Sequence, residues 1–185
     1  MECFNSLNLT TEPIEEPITT AEAKLWMKQD FTDDDTLIAS LIKSARKMAE
    51  QYCNRAFVDQ SWTLSLNCMP GIIPLPKGYI DSVTSVKVIA DDGTSTTEAA
   101  TKYQVKTGDE GKLVLESGQT WTTSDGKIGV MEIEYVVGYG DSDDVPDGIK
   151  TAIKQLTAYI YENREMQDLP RFAKTLLEPY RIYNI

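Results

Sequence analysis

The residues best suited to chemistry in this sequence are carboxylates. Asp141, Asp143, Asp144 and Asp147 crowd one short segment, and aspartates at alternate positions are what a loop uses to take calcium or magnesium. The pattern fails after two steps. Val145 stands at the third ligand position and no glutamate follows at the closing one, so a structural loop is the better reading. Asp33, Asp34 and Asp35 form a second acidic run, explained by the positive end of a helix dipole. Glu132, Glu134 and Asp109 could in principle supply a glycosidase-type carboxylate pair, but Glu132 and Glu134 alternate with apolar residues and read as the wet face of a strand. Trp62, Trp121 and Tyr135 read as core or cross-strand partners rather than a ligand-stacking platform. The 185 residues contain no histidine, which removes Ser-His-Asp and Cys-His nucleophile systems and histidine-based zinc sites. Neither G-x-x-x-x-G-K-[ST] nor G-x-G-x-x-G occurs, so neither common phosphate cradle is present.

Cys3, Cys53 and Cys68 are an odd set without C-x-x-C spacing. They read as reduced, buried thiols rather than as a zinc site or a disulfide framework. The start MECFNSLNLTTEPIEE has no basic and apolar signal regions, and no apolar run reaches membrane-spanning length. A protein made in the cytoplasm, without a membrane partner, is expected. The net charge of -11 is unevenly spread. Residues 91–147 hold 4 basic and 13 acidic side chains, against 6 and 4 in residues 148–185. A field of that sign repels phosphate, so binding to nucleic acid through counterion release is not expected.

These side chains need elements to hold them. Thr19 and Glu22 have capping-box spacing ahead of a short helix from Ala21 to Met27. After the three aspartates, Leu37, Ile38, Leu41, Ile42, Ala45, Met48, Ala49, Tyr52 and Cys53 recur at helical steps, with Lys43, Arg46 and Lys47 between them. From Phe57 the period becomes two, at Trp62, Leu64 and Leu66, at Val86 and Val88, at Leu113 and Leu115, and at Met131, Ile133, Tyr135 and Val137. Turn signals at Asp92-Gly93, Gly108 to Gly111 and Asp125-Gly126 separate the strands. Pro146 then opens a helix with the stripe Ile149, Ala152, Ile153, Leu156 and Ile160, and Pro170 a shorter one with Phe172, Ala173, Leu176, Leu177 and Tyr180. The expected class is α+β: a helical subdomain bearing an inserted antiparallel β-rich lobe. Within a single domain over 1–185, the boundaries are N-terminal helices at 17–56, the β-rich lobe at 57–140, C-terminal helices at 145–179 and a tail at 180–185.

The landmarks also have a telling order. Pro17-Ile18-Thr19-Thr20-Ala21-Glu22-Ala23-Lys24 precedes the acidic loop, and the long helix ends in Tyr52-Cys53-Asn54-Arg55-Ala56-Phe57 ahead of Gln60-Ser61-Trp62-Thr63-Leu64. Pro74-Leu75-Pro76 leads into Ser82-Val83-Thr84-Ser85-Val86-Lys87-Val88, a strand closes on Val137-Gly138-Tyr139-Gly140, and the helix after Val145-Pro146 ends in Tyr161-Glu162-Asn163-Arg164-Glu165. From about residue 13 to 180, this succession resembles the head-to-tail connector (adaptor) proteins of tailed bacteriophages. The resemblance implies a non-catalytic part of the virion neck at the portal vertex. It would be a ring of about twelve copies with head-to-tail contacts, needing no cofactor, and placed between the portal protein and a stopper or tail-completion protein while DNA slides through unbound.

Charge and resemblance together assign two candidate surfaces. Tyr180, Arg181, Tyr183 and Ile185 suit docking on the portal, because aromatic and arginine side chains are favoured anchors. Equally, they could cap the subunit's own core. Asp141, Asp143 and Asp144 would belong to an acidic loop lining the lumen or facing the tail. The alternatives are another neck component, a stopper or tail-completion protein, or a small metal-dependent hydrolase using the aspartates near 141–147.

Overall fold

The computed structural model describes residues 3–124, 128–164 and 168–183. Its elements run β1 (Phe4–Thr11), α1 (Thr20–Met27), α2 (Asp35–Cys53), β2 (Gln60–Leu66), β3 (Ile72–Pro74), β4 (Ile80–Ile89), β5 (Ser95–Thr97), β6 (Tyr103–Lys106), β7 (Lys112–Leu115), β8 (Met131–Val137), α3 (Asp147–Asn163) and α4 (Arg171–Leu177). The class is α+β, as expected. Residues 1–13 and 59–138 cluster into one compact unit, and residues 14–58 and 139–185 into another.

The β unit is built around its last strand. In the order β1-β2-β8-β4-β5, β8 is central and antiparallel to both neighbours. Met131, Ile133, Tyr135 and Val137 are buried while Glu132, Glu134 and Val136 are half-exposed, so the period-two pattern places one face in the core. Tyr135 lies opposite both Trp62 and Val83. Burial pushes its phenol well above the usual tyrosine range, and its hydroxyl donates to Pro76 O at 3.1 Å. A second sheet, β3-β7-β6, is tied to β4 where Ile80 and Gly108 exchange backbone hydrogen bonds, each 3.0 Å. Gly111 permits that approach, since a Cβ there would stand 2.0 Å from Ile80 Cγ1. The turn expected at Asp125-Gly126 lies outside the described residues.

One expectation, that all three cysteines are reduced, is corrected here. The stretch Phe-Asn-Ser-Leu-Asn-Leu-Thr-Thr forms β1, paired with β2 from Phe4 opposite Leu66 to Thr11 opposite Ser61. That pairing brings the flanking Cys3 and Cys68 together as a disulfide with Cα atoms 5.1 Å apart. Only Cys53 is a free, buried thiol. Partners 65 positions apart are invisible until the strand that pairs them is recognised.

The helical unit buries Ile38, Ile42, Ala45, Ala49 and Cys53 of α2 against Ile149, Ala152, Ile153 and Leu156 of α3, with Ala173 and Leu177 of α4 and Ala23 of α1. The Thr19–Glu22 capping box opens α1. The helix ends with Lys28 in the left-handed region, its N–H bonded to Leu25 O at 3.3 Å. Arg46, expected between the apolar positions, is only 1% exposed. Its guanidinium donates to Glu16 at 2.6 Å and to Glu50 at 2.7 Å, while Glu50 also accepts from Phe57 N at 2.9 Å. Burial disfavours the charge, but the two carboxylates outweigh it and hold the pKa above the ordinary arginine value. One side chain thus fastens α2 to the chain entering α1 and to the chain leaving α2.

Candidate docking surfaces

The tail residues are held by the end of α2. Asn54 takes a left-handed conformation with φ 51°, which turns the chain so that Arg55 reaches back. Its guanidinium donates to Tyr180 O at 3.1 Å and to Tyr139 Oη at 2.9 Å. Two residues before Arg55, Cys53 O accepts from Ile182 N at 2.8 Å. Tyr180 is half-buried against the helical core and brings its hydroxyl to α3, where a Cβ on Gly148 would stand 2.6 Å from it. Arg181 lies over the rings of Tyr52 at 4.7 Å and Tyr183 at 4.8 Å. Glu178 accepts from both Tyr52 Oη and Tyr183 Oη. The Tyr183 hydrogen bond, with that from Tyr52, holds the Glu178 carboxyl below its usual range; the same bonds hold both phenols above theirs.

Tyr180, Arg181 and Tyr183 are therefore brought together, while Ile185 lies outside the described residues. The three differ in what they offer. Arg181 and Tyr183 are exposed, with Tyr183 at 58%; Tyr180 is spent largely on its own subunit. The supporting Tyr52, Arg55, Tyr139 and Glu178 were not assigned to this surface from the sequence. Tyr52 and Arg55 belong to the string that ends the long helix, while Tyr139 and Glu178 are far from it in sequence and meet it only in the fold.

The acidic candidates sit on a single 3-10 turn, Ser142–Asp144, between Gly140 and α3. Asp144 N donates to Asp141 O at 3.1 Å, and Asp141 N to Asp144 Oδ2 at 3.3 Å. Glu15 accepts from Ser142 N at 2.6 Å, a bond that lowers its pKa. Lys150 of α3 donates to Asp143 O at 3.3 Å. Asp141, Asp143 and Asp144 are exposed. Among the described residues, no group of three or more Asp, Glu, Cys or His is arranged to hold a metal ion. No described helix is long and apolar enough to cross a membrane. The acidic stretch 91–147 runs from the β unit into the helical unit, the boundary falling after Gly138.

The head completion protein family model matches residues 16–183. The chain belongs to that family, whose members are structural components of virus particles. Among solved structures, a chain in the neck of an empty gene transfer agent particle, computed with C6 symmetry, has a TM-score of 0.82 at 20% identity, covering 97% of each chain. A chain in the neck of the native particle, computed with C12 symmetry, gives 0.81 at 19% identity, again over 97% of each. A third match, in the virion of the native gene transfer agent particle, gives 0.81 at 20% identity over 97% and 96%. No curated protein matches at a significant level.

Proposed function

We propose that this chain is a non-catalytic adaptor at the head-to-tail joint of a tailed phage or phage-like particle. It assembles there as a ring between the portal protein and a stopper or tail-completion protein, and DNA passes through without being bound. The observation that carries this reading is the family match over nearly the whole chain. The cyclic symmetry of the necks holding similarly folded chains supports a ring, since a closed ring needs a repeated head-to-tail contact. The site chemistry agrees. The available side chains offer stacking and charge on exposed surfaces, suited to docking.

In this reading Arg181 and Tyr183, with Ile185 beyond them, meet the portal, and Tyr180 anchors the tail to its own subunit. Asp141, Asp143 and Asp144 face the lumen or the tail side, where exposed carboxylates keep the DNA backbone from adhering. Removing residues 180–185 tests the docking assignment. Loss of portal binding in a pull-down, with an unchanged circular dichroism spectrum, is expected. Undiminished binding by the truncated protein would sink it.

A further inference from the structure

Among the described residues, two of the exposed apolar patches of the helical unit lie on different sides of α3. Leu25 and Trp26 at the end of α1 are 81% and 47% exposed, and Phe31 in the next loop is 52% exposed. Beside them, Lys154 of α3 pairs with Glu22 at 2.9 Å. The second patch is Tyr159 of α3 and Phe172 of α4, whose ring centroids lie 5.9 Å apart. At 3.6 residues per turn, Lys154 and Tyr159 flank the buried stripe of Ile149, Ile153 and Leu156 on opposite sides. Exposed aromatic side chains of this size are what interfaces bury.

The first patch is net acidic, and the second carries the exposed cation Arg171 beside Phe172, with Glu162 one turn from Tyr159. Around Phe31, residues 28–35 carry Lys28 against Asp30, Asp33, Asp34 and Asp35. Beside Phe172 stands Arg171, exposed, and Lys174 one turn on, paired with Asp168 at 2.9 Å. A cyclic ring larger than a dimer requires two different, complementary patches on each subunit, because its contacts are heterologous. We infer that the Leu25–Trp26–Phe31 patch of one copy docks on the Tyr159–Phe172 patch of the next, with Asp30 and Asp33 facing Arg171. The occupant is a second copy of this chain, and the inference rests on the ring proposed above.

The test is cross-linking within assembled necks of the full-length chain. With Trp26→Cys and Phe172→Cys in the same chain, a short bismaleimide links each subunit to the next and yields a ladder of oligomers on a denaturing gel. Either substitution alone yields monomer. Rings visible by electron microscopy but no ladder from the double variant, or dimers from a single variant, would overturn this interface and leave the adaptor reading intact. Necks of the unaltered chain without any ring would overturn that reading and this inference with it. Should the cysteine variants not fold, charge reversal decides the matter. Asp30→Arg and Arg171→Asp each reduce ring yield several-fold and together restore it; equal yields from all three would contradict the pairing.

Discussion

At the scale of single residues, most of this chain's polar chemistry is spent on fastening. Arg46 is the clearest case, a buried cation with two carboxylates and no access to a ligand. Arg46→Ala leaves Glu16 and Glu50 without their shared cation, and breaking such a buried pair costs about 3 kcal/mol or more. An unfolding free energy lowered by that amount in urea titration, with the midpoint shifted down accordingly, is the expected outcome. Cys53 makes a second prediction. Burial pushes its thiol up to about 12, so at pH 8 it stays protonated and shielded. In the folded protein no cysteine reacts with a thiol reagent. In denaturant without reductant one does, and with reductant all three do, because Cys3 and Cys68 are joined. Three reactive thiols without reductant would refute the disulfide.

At the scale of elements, the capping box of α1 gives a pH signature. The Thr19 backbone N–H and then Lys154 hold the Glu22 carboxyl down at about 2, against an ordinary 4.5. A carboxyl depressed by folding adds stability above its unfolded value and loses it as pH falls through the folded one. Glu22→Gln therefore lowers the unfolding midpoint at pH 7, and the difference from the parent chain fades between about pH 4.5 and pH 2. A difference independent of pH would contradict the assignment. Gly111→Val is expected to destabilise the β unit by about 1–3 kcal/mol, the usual cost of overpacking, because its side chain would enter the space of Ile80. The elements with strong periods, α2, α3 and β8, are legible in the sequence because each has one buried face. The period failed where tertiary contacts decide. β1 spaces Phe4, Leu7 and Leu9 too irregularly to alternate, and the Cys3–Cys68 disulfide went unseen with it. Arg46 stands at the edge of the buried face, one turn from Ile42 and from Ala49, and its residue type hides a burial that Glu16 and Glu50 accompany.

At the scale of the whole molecule, family membership carries the functional reading. The landmarks that suggest a connector are spread along the chain, and the family match covers the same span. The candidate docking residues were legible only as an aromatic and basic tail. Their holding by Arg55, Glu178 and the backbone of Cys53 depends on the turn after α2. A net charge of -11 predicts no retention of duplex DNA by the isolated protein at about 0.15 M salt, because 29 acidic side chains outnumber 18 basic ones and their field repels the phosphates. Gel-shift titration into the micromolar range checks this. The central claim, a ring-forming adaptor at the neck, is tested most directly by electron cryomicroscopy of particles assembled with and without this chain. A cyclic ring of its density at the head-to-tail joint is expected, with heads that fail to join tails when the chain is missing. Complete head-to-tail joints in its absence would contradict the claim.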